Sequence, residues 1–163
     1  MKHQGLIGIA LAAWMLPLSA PAIKPPRDPA PRFKARSLEG KNFTNESVKG
    51  KLVLLQFWTT WCGNCRRDES AVDELTREHS DRGLVVLAVN VGESRRTVEQ
   101  YLARSPRSCH IILMEHTNLA AVFQANAFPL YVVIDREGKV AGDQRGAGGI
   151  EPLRQMLMKA GLE

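Results

Sequence analysis

Two of the three cysteines in this 163-residue chain, Cys62 and Cys65, stand three positions apart in the stretch QFWTTWCGNCRRDES, Gln56 to Ser70, where an apolar run meets a charged one. At that spacing two thiols share one face of a helix, the second a turn deeper than the first, and the pair can close a disulfide. The first turn of a helix also carries amides with no intrahelical acceptor, so a thiol placed there ionises more readily than the reference thiol at about 8.5. The chemistry that follows is dithiol–disulfide exchange. Cys62 attacks a substrate disulfide, a mixed disulfide forms, and Cys65 resolves it. Three plainer readings compete: a passive disulfide, half of a zinc site, and two buried thiols. Zinc needs a second Cys or His pair at ligand spacing, and the sequence offers none nearby. Trp61 beside Cys62 and a strand-to-helix setting favour the redox reading, which requires no metal or cofactor.

The elements that must position the pair are legible as alternating patterns. KLVLLQFW, LVVLAVNV, HIILM and LYVVID are short runs rich in Val, Ile and Leu, the signature of strands buried on both faces. Between and after them, apolar residues recur at three- and four-residue spacing: Val72 and Leu75; Val98, Tyr101 and Leu102; Leu119, Val122 and Phe123; Leu153, Met156, Leu157 and Ala160. Strands alternating with helices predict an α/β sandwich around a central, mostly parallel sheet, with DREGKV turning the fourth strand into an antiparallel neighbour. FKARSLEGKNFTNESVKG reads as a small hairpin leading into the first core strand, with Gly40 in its turn.

Length and composition fit one soluble domain: 44% of residues are hydrophobic and 24% charged, enough to build a core without disulfide staples. The net charge of +5 is spread over scattered or paired basic residues, such as Arg66-Arg67 and Arg95-Arg96, which argues against a nucleic-acid partner.

Residues 1–22, MKHQGLIGIALAAWMLPLSAPA, have the layout of a secretory signal, with Lys2 and His3, an apolar core from Leu6 to Leu18, and Ala20-Pro21-Ala22 at the end. Cleavage is expected after Ala22. The apolar core is shorter than the roughly 20 residues that span a bilayer, which favours removal over retention as a membrane anchor. Residues 23–32, with Pro25, Pro26, Pro29 and Pro31, read as a semi-extended linker, and the domain is expected to occupy residues 33–163.

VLLQFWTTWCGNCRRDES, GLVVLAVNVGES and FPLYVVIDREGKV together resemble the TlpA/ResA-like branch of the thioredoxin superfamily, with the segments in the family's order and the similarity spanning Phe33 to Leu162. The resemblance implies a thioredoxin fold with a central mixed sheet, and an exported thiol-disulfide oxidoreductase that reduces protein disulfides in the bacterial periplasm. Roles in cytochrome c maturation or copper-site assembly are common in the family. Electrons would come from a membrane thiol carrier of the DsbD or CcdA type.

By the same resemblance Pro129 matches a cis-proline facing the cysteines. Its turn would open the backbone of Phe128 to an extended substrate strand, with Trp61 part of the substrate-binding surface. Gly63 and Asn64, between the cysteines, and Gln56 would tune the couple. Asn64 stands where Pro is common. Gln56 stands where many thioredoxins carry a buried carboxylate, and an amide cannot act as a base.

Other residues read as bland. Cys109 is expected to pack as a small hydrophobe, and His79 and His116 to lie on the surface. A copper-binding chaperone using Cys62 and Cys65 is the non-enzymatic alternative, and a disulfide oxidase or isomerase the enzymatic one. TTWC also resembles the Thr-x-x-Cys of peroxiredoxins. Leu55 stands where that motif has Pro, however, and a second thiol three residues on is foreign to its chemistry.

Overall fold

The computed structural model describes residues 27–163. The expected signal segment and the first part of the linker lie outside the described residues. Seven strands form one sheet in the order β2-β1-β5-β4-β3-β6-β7. In chain order they are β1 (Lys34–Ser37), β2 (Asn42–Thr44), β3 (Leu52–Trp58), β4 (Leu84–Asn90), β5 (His110–Thr117), β6 (Leu130–Ile134) and β7 (Val140–Arg145). The helices are α1 (Gly63–Arg67), α2 (Glu69–His79), α3 (Arg95–Leu102), α4 (Leu119–Val122) and α5 (Ile150–Lys159).

The predicted hairpin is present: β1 pairs antiparallel with β2, and Gly40 takes φ +87° in the turn, a conformation glycine adopts without strain. The sheet is mixed, and less parallel than the strand–helix alternation predicts. Only β3–β4 and β4–β5 run parallel, while β6 and β7 both pair antiparallel. The connection between β5 and β6 holds only the four-residue α4, and the chain re-enters the sheet beyond β3 in the opposite direction.

Alternation along β3 sorts the core into two layers. Leu52, Leu54 and Trp58 face a cluster with Cys62, Cys65, Val72, Leu75, Leu153 and Leu157, under α2 and α5. Val53, Leu55 and Phe57 face the second cluster, with Phe33, Phe43, Val48 and Leu119. Gln56 shares the parity of Leu54 and Trp58, so it points toward the cysteine layer.

Order begins before Phe33. Pro29 bridges Lys139, the Ala30 amide donates to the Gly138 carbonyl at 2.9 Å, and Arg27 ion-pairs with Asp135 at 3.1 Å. The later part of the proline-rich segment is thus docked on the β6–β7 turn. This turn lies at the pole opposite the cysteines, because β6 runs antiparallel to β3 with Ile134 level with Val53.

His79 departs from expectation. It is buried at the end of α2, its Nε2 within 3.4 Å of an Arg154 nitrogen on α5, and burial lowers its pKa below the ordinary histidine value. His116 is exposed as expected, but on β5, which runs on past HIILM to pair Thr117 with Ala35.

Candidate active site

β3 ends at Trp58, and a tight turn follows in which the Cys62 amide donates to the Thr59 carbonyl at 3.3 Å. Cys62 caps α1 with extended backbone, and its Sγ accepts the Cys65 amide at 3.1 Å. The two cysteines are joined in a disulfide with Cα atoms 5.2 Å apart. Cys62 keeps 6% of its surface accessible and Cys65 none, so Cys62 is the outer sulfur. That is a small opening for a thiol that must attack a protein disulfide. Phe128 packs against the cysteine layer, and its ring meets Trp61 edge-on at 6.4 Å. Trp61 itself is 68% exposed. The Phe128–Pro129 bond is cis.

α1 is a single turn, and the helix is interrupted at Asp68 before α2 resumes. The donor on the Cys62 sulfur is therefore one local amide, and the side chain of Asn64 is turned away to accept from Arg67. Gly63 is exposed with open space around its Cα.

The interruption at Asp68 places a carboxylate in the core. Asp68 is buried and accepts from the Tyr131 hydroxyl at 3.0 Å and from the Gly148 and Gly149 amides at 3.1 and 3.0 Å. Gly149 presents its amide at φ +73°, which only glycine holds cheaply. Gln56 is fully buried; its amide nitrogen donates to the Tyr131 oxygen at 3.4 Å and its oxygen accepts from Arg107 at 3.3 Å. Arg107 in turn donates through Nε to both oxygens of Asp73 at 3.1 Å. Burial, reinforced by Asp68, pushes the Tyr131 hydroxyl far above its ordinary pKa, so it remains a donor.

A buried chain Arg107–Gln56–Tyr131–Asp68 thus runs through the cysteine layer. Of its members only Gln56 was singled out from the sequence. Cys109 lies beside it, buried and free, its thiol pushed up to about 11 by burial despite the nearby Arg107 cation.

Asp68→Asn is expected to cost about 1–3 kcal/mol, because the amide turns a donor toward groups that are themselves donors. Urea unfolding of the oxidised protein measures it. A loss below about 0.5 kcal/mol would mean that the three bonds to Asp68 are offset by its desolvation.

A sheet of this topology, with a disulfide at the strand-to-helix join and a cis-proline at the head of β6, defines a thioredoxin-fold thiol-disulfide oxidoreductase. A family model described as the AhpC/TSA family matches residues 26–142. The thiol-disulfide oxidoreductase ResA of Geobacillus thermodenitrificans is 32% identical over 128 residues, covering 78% of this chain and 74% of the relative. The thioredoxin-like protein YneN of Bacillus subtilis is 31% identical over 130 residues, covering 78% and 76%. A crystal structure of a DsbE-type thiol:disulfide interchange protein from Chlorobium tepidum superimposes with a TM-score of 0.74 at 26% identity, covering 82% of this chain and 96% of that one. The chain belongs to the AhpC/TSA family, and within it to the ResA-like thiol-disulfide oxidoreductases.

Proposed function

We propose that this enzyme works as a reductase of disulfides in exported proteins, with residues 1–22 as its export signal, residues 23–32 as a linker, and the bacterial periplasm as its compartment. The observation that carries the reading is the couple itself: an outer Cys62 sulfur bonded to a fully buried Cys65, beside the cis-Pro129 turn and the exposed Trp61. A reductant must be recharged, and a membrane thiol carrier of the DsbD or CcdA type fits that need. Cytochrome c maturation and copper-site assembly are the substrate settings implied by the family resemblance of the cysteine segment. Among the described residues no helix is long and apolar enough to cross a membrane.

In this reading Trp61, Phe128 and Pro129 form the substrate rim, and Gly63, Asn64 and Gln56 set the balance between dithiol and disulfide. Thiol trapping of Cys62 and Cys65 in the exporting cell tests the direction. A largely reduced pair supports the reductase, whereas a largely oxidised pair in a cell with an intact donor overturns it in favour of an oxidase.

Phe128→Ala tests the rim. Its ring narrows the approach to the disulfide, so truncation is expected to speed reaction with small disulfides about three-fold and to widen the range of accepted peptides, as when a steric filter is removed. Stopped-flow rates with a small aromatic disulfide and with a peptide panel measure this. Equal losses for every substrate would assign the ring to the fold instead.

A further inference from the structure

Glu93 lies outside the cysteine segment, in the loop between β4 and α3, yet its carboxylate is committed to the loop that carries Cys62. Its Oε2 accepts the Thr60 amide at 2.7 Å and its Oε1 accepts the Thr60 hydroxyl at 2.6 Å. Oε2 also accepts from the Asn90 side-chain amide at 2.7 Å. All three are short, as charge-assisted bonds are. Both anchors beneath the carboxylate are rigid. Asn90 is the last residue of β4, level with Trp58 of β3, and Ser94 caps α3, whose Val98 is fully buried.

The clamped residue is the one before Trp61 and two before Cys62. Between Thr60 and α1 the chain is otherwise held by the Cys62-to-Thr59 turn, while the Trp61 side chain stands largely in solvent. With the clamp in place, the indole meets Phe128 edge-on at 6.4 Å, one residue before Cys62.

We propose that Glu93 is the positioning residue of this active site, holding the Thr59–Cys62 loop so that Trp61 and the Cys62 sulfur meet a protein substrate together. This rests on the reductase reading above and deepens it. A protein disulfide must dock on the Trp61 rim and be attacked at once, so misplacing the loop by about 1 Å is costly. A small soluble disulfide needs only the sulfur. Loss of the clamp therefore separates the two reactions.

The experiment uses the full reduced chain and measures kcat and KM for a protein disulfide alongside the rate with a small aromatic disulfide. Glu93→Ala is expected to lower kcat/KM for the protein at least about ten-fold, mainly through KM, and to change the small-disulfide rate less than about two-fold. Glu93→Gln keeps one acceptor oxygen and is expected to recover most of the loss. Equal loss of both reactions, or no loss of either, overturns the proposal. Should Glu93→Ala fail to fold, Thr60→Val, which removes one of the three bonds, is expected to show the same split at smaller size, and its absence overturns the proposal equally. The wild-type rate keeps the two ideas distinguishable: a wild-type chain that reduces no disulfide refutes the reductase reading, whereas an active wild type with no split refutes only the role of Glu93.

Discussion

Replacing Cys62 by serine is expected to abolish dithiothreitol-driven reduction of a protein disulfide, while Cys65→Ser, pre-reduced and freed of dithiothreitol, is expected to halt at the first displacement with the substrate covalently attached. The asymmetry follows from burial. In the oxidised protein Cys62 keeps 6% of its surface accessible and Cys65 none, and the Cys62 Sγ already receives the Cys65 amide, a donor that favours the thiolate. In the proposed route the Cys62 thiolate of the reduced enzyme attacks one sulfur of the substrate. The substrate S–S bond breaks, one substrate thiolate leaves and takes a proton, and a mixed disulfide remains. Cys65, deprotonated, then attacks the Cys62 sulfur, the second substrate thiol is released, and two electrons have passed from the enzyme to the substrate. Without Cys65 the second displacement cannot occur, so the mixed disulfide persists as a reducible band on a non-reducing gel. If Cys62→Ser instead traps the adduct and Cys65→Ser does not, the two roles are reversed. If neither traps and both retain activity, exchange does not run through this pair. Tight Cu(I) binding by the reduced pair together with absent reductase activity would return the copper-chaperone reading.

The parts of this site that chain-local chemistry determines were open to inspection in the sequence. Cys62 and Cys65 announce themselves by spacing, and the apolar run Leu52–Trp58 declares a strand whose end must present them. Periodicity likewise placed α2, α3 and α5, since a stripe of apolar residues needs only local geometry to be recognised. The charged members of the core were invisible for the opposite reason. Asp68, Glu69 and Asp73 sit in a segment, RRDESAVDE, that has the composition of a solvated helix start, and Arg107 sits in the polar stretch ARSPRSCH. Their burial is created by partners 32 or more residues away, and no local pattern encodes such pairing. Glu93 is similar, because its meaning comes from Thr60, 33 residues earlier. His79 reads as a helix-end residue facing water until α5 brings Arg154 against it. Strand direction was harder still. The runs that became β5 and β6 are apolar in the same way, and nothing in either states that the chain skips past β4 and β3 to run antiparallel on the far side.

Arg107→Met is expected to lower stability by about 3–5 kcal/mol, as when one partner of a buried ion pair is removed. The Arg107 side chain is 1% exposed. It bonds both oxygens of Asp73, lies 3.7 Å from Glu69, donates to Gln56, and sits 5.9 Å from the centroid of the Trp58 ring. Removing it leaves two carboxylates in the core without their cation. Glu69 keeps the Tyr101 and Ser105 hydroxyls at 2.6 and 3.0 Å, and Asp73 keeps the Ser108 amide at 3.0 Å, but neither set supplies positive charge. Methionine has about the right length to fill the space, so the loss reports charge more than volume. Arg107→Lys should fall between, since it restores a cation but cannot bond Asp73 and Gln56 through a planar fork. The double variant Arg107→Met with Asp73→Asn separates pairing from desolvation: it should be more stable than Arg107→Met alone, because it leaves one fewer uncompensated charge, and the cycle gives the coupling directly. Urea unfolding of the oxidised protein, compared at constant slope, measures all three. A loss below about 1 kcal/mol for Arg107→Met would show that the cost of desolvating Arg107 nearly cancels its attraction to the two carboxylates. The chain through Gln56 to Tyr131 and Asp68 would then be held by those residues' own bonds, with the cation a bystander at its end.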